Sequence, residues 1–272
     1  MKPGKFILLE GISGSGKSTL AKLLVEGLKA RGIDAILNTE PTKKSSFGRA
    51  VRMIIEGNEV PSELLAEFKE DVAFLEVALD TSAYRVTTAS RERVNQFRCI
   101  LSCVPGKLER GKELTELERQ ILFIADRFFD LKGTIIPALR EGKWVVQDRY
   151  DLSNYAYGSA HFASFELLYE LHLAALGDKY RVPDITFFVD VTPRVAAGRL
   201  KRSGKPIDLH EGLESLKKVR VQYEEAIKRQ DTLPIIVGTH RPNVVRLNGA
   251  APIKTVIREA EAALLKAKLL KK

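Results

Sequence analysis

The chain has 272 residues, 44% of them apolar and 29% charged, with a net charge of +9. This is the composition of a globular protein able to bury a full core, and no apolar run approaches the roughly 20 residues that a membrane span needs. The positive balance suits a polyanionic ligand, but no nucleic-acid recognition motif accompanies it, so nucleic acid is not an expected partner.

Lys5 to Glu10 reads as a buried strand. It runs into Gly11-Ile12-Ser13-Gly14-Ser15-Gly16-Lys17-Ser18, then Thr19 and a helix to about Arg31. The octet fits the phosphate-binding loop G-x-x-x-x-G-K-[ST] at every required position. Its glycines permit backbone angles that turn N–H groups inward around phosphate oxygens. Lys17 supplies a mobile charge for the β- and γ-phosphates, and the Ser18 hydroxyl can ligate Mg²⁺. The helix that follows points its positive end at the same place. Residues 11 to 19 are therefore the expected segment for binding a nucleotide's phosphates.

Gly32 ends that helix, and Ile33 to Leu37 returns as a strand toward Thr39-Glu40-Pro41-Thr42. Gly48 to Glu56 looks helical and carries Arg52. Residues 58 to 112 break the strand–helix rhythm. They hold helical patterns at Leu64 to Leu79 and Arg91 to Cys103, with arginines at 85, 91, 93, 98 and 110. This stretch reads as a helical insertion within a single domain spanning 1 to 272. Cys99 and Cys103 share a helix face and have no neighbouring His, so buried, reduced thiols are expected rather than a zinc site. The early strand leaves no signal peptide to expect, and a cytoplasmic location follows.

Thr115 is a candidate N-cap with Glu118 completing a capping box. On the helix beyond, Leu122-Phe123-Ile124-Ala125-Asp126-Arg127 places a ring and a guanidinium four apart on one face. Trp144-Val145-Val146 is a strand entering Asp148-Arg149-Tyr150, with Ser153, Asn154 and Tyr157 behind it. Pro183-Asp184 opens a strand at Ile185 to Val189. Arg199 to Lys205 has the composition of a basic, mobile flap, the centre of a lid at 196 to 212. Val244 to Leu247 is the last strand, before a helix from Ile253 to about Leu269. The alternation predicts a parallel sheet covered on both faces, with ligands at the strands' carboxyl ends.

Together these motifs resemble the thymidylate kinase family over residues 5 to 57 and 113 to about 260. The resemblance implies an α/β fold, a P-loop NTPase three-layer α/β/α sandwich with a five-stranded parallel sheet and, here, a helical insertion. It implies Mg²⁺-ATP as donor, dTMP as acceptor, and a homodimer. By resemblance Arg52 and Arg149 hold the acceptor phosphate, Phe123 stacks on the base, and Arg127 hydrogen-bonds to it. Asn154 and Tyr157 line the sugar and base, and Asp148 sits near Mg²⁺ with Ser18. Glu40 either touches substrate or braces its loop. Some family members carry a catalytic Arg inside the phosphate loop. None is present here, so beside Lys17 and Arg149 the catalytic charge is expected from Arg199, Arg202 or Lys205. Ser13 stands where the family usually has an acidic residue that meets the sugar.

The chemistry agrees with that class. A monophosphate is mostly dianionic at neutral pH, since its second pKa is about 6. It needs in-line positioning and cations rather than a strong base. Two alternatives remain open at this point. A nucleoside or other small-acceptor kinase would need a carboxylate base, and Glu40 is the only good candidate. A nucleotide-dependent switch would bind ATP without acceptor turnover.

Overall fold

In the computed structural model, residues 3–81, 91–161, 163–204, 208, 210–230 and 243–270 are described. Five strands, β1 (Phe6–Glu10), β2 (Ala35–Thr39), β3 (Trp144–Asp148), β4 (Ile185–Asp190) and β5 (Val244–Asn248), form one sheet in the order β2-β3-β1-β4-β5. Every pairing is parallel. The buried strand β1 divides its side chains by alternation. Ile7 and Leu9 join the core under α1 (Lys17–Ala30) and α11 (Ile253–Lys266), with Leu20, Leu24 and Leu264. Phe6 and Leu8 face the opposite layer of helices. This is the expected three-layer α/β/α sandwich.

The opposite layer contains α2 (Ser46–Ile55), α3 (Ser62–Thr81), α4 (Arg91–Glu109), α5 (Glu116–Asp130) and α8 (Phe165–Leu176). A short helix, α6 (Ile136–Arg140), leads back to β3. Phe68 and Leu75 of α3 and Phe97 and Leu101 of α4 share one core with Phe47, Ile124 and Leu171. Helices α3 and α4, the described helices of residues 58 to 112, thus bury their apolar faces in the main core. A further cluster under α7 (Asp151–Ala160) and α10 (Leu213–Gln230) joins Tyr155, Phe188 and Tyr223, with Ala196 of α9 (Pro193–Ser203). Among the described residues no helix is long and apolar enough to cross a membrane.

Several boundaries shift. β2 begins at Ala35 because its ladder with β3 runs from Ala35–Trp144 to Thr39–Asp148, which carries Glu40 to the sheet's carboxyl edge. The capping box at Thr115 and Glu118 forms as expected. Helix α4 continues past Cys103, through Pro105, to Glu109. Cys99 and Cys103 are exposed, contrary to expectation. The face of α4 that packs carries Val94, Phe97, Leu101 and Val104, and the thiols lie off it. Arg199 and Arg202 stand on α9 instead of in a flap. Arg85 and, within the lid at 196 to 212, Lys205 and residues 206, 207 and 209 lie outside the described residues.

Candidate active site

The phosphate loop links β1 to α1 across the carboxyl edge of the sheet. Gly16 caps α1 in the left-handed region at φ 101, where a side chain costs energy. Gly14 has a second reason to be glycine: a Cβ there would lie 2.6 Å from the Ala196 carbonyl oxygen. Lys17 is buried, and its ammonium donates to the Ile12 carbonyl at 3.0 Å. Burial, and then Arg149, push Lys17 down to about 7, while Asp148 and Glu10 pull it back. The Ser18 hydroxyl donates to Asp148 Oδ2. Asp148 Oδ1 is buried with no partner among the described residues.

Arg149 follows β3 with φ 74, a conformation few non-glycine residues hold. Such strain persists only where surroundings over-determine it, and here they do. Its backbone N–H donates to the Leu9 carbonyl at 3.1 Å. Its guanidinium donates to Ser13 Oγ at 3.0 Å, Ser153 Oγ at 3.1 Å and Tyr157 Oη at 3.2 Å. Tyr157 also accepts from the Ser13 backbone N–H at 3.1 Å. Ser13 therefore joins Arg149 and Tyr157 in one polar cluster. Glu10 stands behind it, accepting from the Tyr150 N–H at 2.9 Å and the Ser153 hydroxyl at 2.5 Å. Burial raises the Glu10 carboxyl.

From the loop, a cavity of about 490 Å³ extends over Arg52, Phe123, Arg127, Asn154 and Tyr157. Arg52 Nη2 donates to the Pro41 carbonyl at 2.7 Å, while its Nε is buried and unpartnered among the described residues. Phe123 is half-buried on the cavity side of α5. Arg127, one turn on, is only 1% exposed. Its Nε reaches both Glu40 carboxylate oxygens, at 3.0 and 3.1 Å, and its Nη2 also pairs with Glu40. Burial raises the Glu40 carboxyl against the opposing pull of Arg127. The contacts thus make Glu40 a brace for Arg127. Asn154 accepts from Arg127 Nη1 at 3.3 Å and donates to the Gln120 side chain.

Two expected residues stand elsewhere. Arg199 donates to the Ser15 carbonyl at 3.0 Å and the Gly249 carbonyl at 2.8 Å, gripping the phosphate loop's backbone. Arg202 is exposed. Neither lines the cavity in this conformation.

Other site residues escaped the sequence reading. Asp126 accepts from the Thr42 N–H at 2.7 Å and from the Thr42 and Ser45 hydroxyls at 2.6 Å each. It fixes the loop after β2 and so the place of Glu40. Its adjacency to Arg127 in the α5 motif was the available signal. Glu10, His172 and Gln120 had none, because each acts through a contact distant in sequence. Asp208 and Glu211 also line the cavity, from the lid side.

A parallel sheet with a phosphate loop at its carboxyl edge, opening onto a basic cleft with an aromatic wall, defines a P-loop phosphotransferase. The family model "Thymidylate kinase" matches residues 9–78 and 74–247. The match runs through the stretch 58 to 112 that the motifs leave uncovered. The thymidylate kinase of Leptospira interrogans is 30% identical over 89% of this chain and 90% of its own length. A probable thymidylate kinase of Pyrococcus abyssi is 30% identical over 81% of each chain. That of Vibrio parahaemolyticus is 25% identical over 97% of each. The chain belongs to the thymidylate kinase family, a family of nucleoside monophosphate kinases.

Proposed function

We propose that this protein transfers the γ-phosphoryl group of ATP to dTMP, giving dTDP and ADP. The observation that carries the reading is the convergence of Lys17, Arg52 and Arg149 on one cavity that continues to Phe123 and Arg127. Two anions must meet there, and three cations offset their repulsion. The ATP phosphates lie in the loop of residues 11 to 19. The acceptor phosphate is held by Arg52, whose Nε has no partner among the described residues, and by Arg149. Phe123 stacks on the base, Arg127 donates to it, and Tyr157 and Asn154 bound the sugar. The acceptor oxygen needs no base, since the phosphate is already ionised. Glu40 offers none: it is taken up by Arg127, which counts against a nucleoside acceptor.

Mg²⁺ fits the donors present. The Ser18 hydroxyl and Asp148 Oδ1, unpartnered among the described residues, are hard oxygens beside the phosphate loop, the ligand type this ion prefers. Ser18 and Asp148 would hold it, and it would neutralise charge on the donor phosphates. Arg199 braces the loop from behind, and Arg202 brings further positive charge on the lid side. Family resemblance supports a homodimer, and the lack of a spanning helix among the described residues is compatible with a cytoplasmic place.

The test is a turnover screen with Mg²⁺-ATP against dTMP, thymidine and the other monophosphates. ADP release is expected with dTMP and not with thymidine. Robust release with another acceptor and none with dTMP would sink the reading.

A further inference from the structure

The buried guanidinium of Arg127 is held by three residues, and one of them belongs to no motif. His172, on α8, is fully buried. Its Nε2 meets Arg127 Nη1, and its Nδ1 lies 2.9 Å from the Leu168 carbonyl oxygen. The ring's protonation state follows from what its neighbours can do. A carbonyl oxygen only accepts, so Nδ1 carries the hydrogen. A guanidinium only donates, so Nε2 presents a lone pair. Only the neutral Nδ1–H tautomer satisfies both contacts. Burial and the adjacent Arg127 hold His172 well below the usual histidine range, in the same direction. The Tyr155 ring packs edge-on against the imidazole, with centroids 4.9 Å apart.

We propose that His172 is a positioning residue for acceptor recognition: as a fixed neutral acceptor it locks the plane of Arg127 beneath the substrate's base. A guanidinium has five N–H groups. Glu40 takes Nε–H and one on Nη2, while Asn154 and His172 take the two on Nη1. One Nη2 hydrogen remains unclaimed among the described residues, on a side chain that lines the cavity. A donor held in one orientation favours a base carbonyl over an amino group. Removing His172 strands an Nη1 hydrogen in a buried site, and the guanidinium can turn to satisfy it at the substrate's expense. The proposal rests on reading this cavity as the dTMP site.

Steady-state kinetics of wild type, His172→Leu and His172→Gln test it. His172→Leu is expected to raise the KM for dTMP about tenfold, the effect of losing one hydrogen bond to a charged group, with kcat and the KM for ATP within roughly twofold. His172→Gln, which can still accept, should recover most of that loss. An unchanged dTMP KM in His172→Leu, or an equal rise for ATP, overturns the proposal while leaving the dTMP assignment standing. A wild type inactive on dTMP overturns both. Should His172→Leu fail to fold, ¹⁵N-histidine spectra of wild type decide. One ring should stay neutral and Nδ1–H across about pH 5 to 8, its Nε2 signal moving with dTMP and not with ATP. Titration of all four rings in that window, or a neutral ring whose signal ignores dTMP, overturns it.

Discussion

The two ends of the cavity are made of different material. The end proposed for the donor is one contiguous run, residues 11 to 19, a glycine loop entering α1 that offers backbone N–H groups and one ammonium. The end proposed for the acceptor is assembled from side chains on the loop after β2 and on α2, α5, α7 and α8, where Glu40, Asn154 and His172 meet Arg127 from 87, 27 and 45 residues away. A backbone cradle is rigid as soon as its strand and helix form. A side-chain cradle is only as precise as the network behind it. Damage at the donor end should therefore appear as lost turnover, and damage at the acceptor end as lost affinity for one substrate.

Four substitutions or conditions sharpen that contrast, in decreasing order of effect. Lys17→Ala should lower kcat about 10²- to 10³-fold, the usual result of removing a positioned charge from a developing anion, with the thermal midpoint little changed. A loss confined to KM would erase the distinction. Arg149→Gly separates strain from function. It relieves the residue at φ 74, which offsets part of what is lost with the guanidinium's bonds to Ser13, Ser153 and Tyr157, so stability should fall less than in Arg149→Ala, by about 1 kcal/mol. Meanwhile kcat/KM for dTMP should drop about a hundredfold. Retained activity in that variant would make Arg149 a structural residue only. Phe123→Ala should raise the dTMP KM about tenfold, as loss of one base–aromatic stack does, and leave the ATP KM alone. Comparable effects on both substrates would mean that α5 itself had moved.

The smallest effect concerns protons. Lys17 sits at about 7 in the free protein, and bound phosphates raise it. Lys17 should then take up a proton on ATP binding above about pH 7 and none well below it, so its contribution to affinity is constant in acid and declines as pH rises past 7. Calorimetry at about pH 8 in buffers of different ionisation heat reads that uptake directly; none detected contradicts the assignment.

The amino-acid order determined the contiguous features. The glycine spacing at 11, 14 and 16, the capping box at Thr115 and Glu118, and the unbroken apolar run of β1 are local patterns, each tied to one backbone geometry. The five parallel strands were legible for the same reason. Even at the acceptor end, Phe123 and Arg127 announced themselves, because four residues on a helix is a local distance.

What only the tertiary structure decided is what those side chains do to one another. Glu40 and Arg127 lie 87 residues apart and pair in the core. That pairing turns a candidate base into a brace. Cys99 and Cys103 shared a face on paper, but packing of α4 against its neighbours chose the other face to bury. Arg199 looked like a free lid charge until Gly249, brought alongside by β5, supplied the carbonyl that holds it. Local spacing fixes which residues can share a surface. Which surface is buried, and which polar atom finds a partner there, is set by contacts between elements that no short stretch of chain contains.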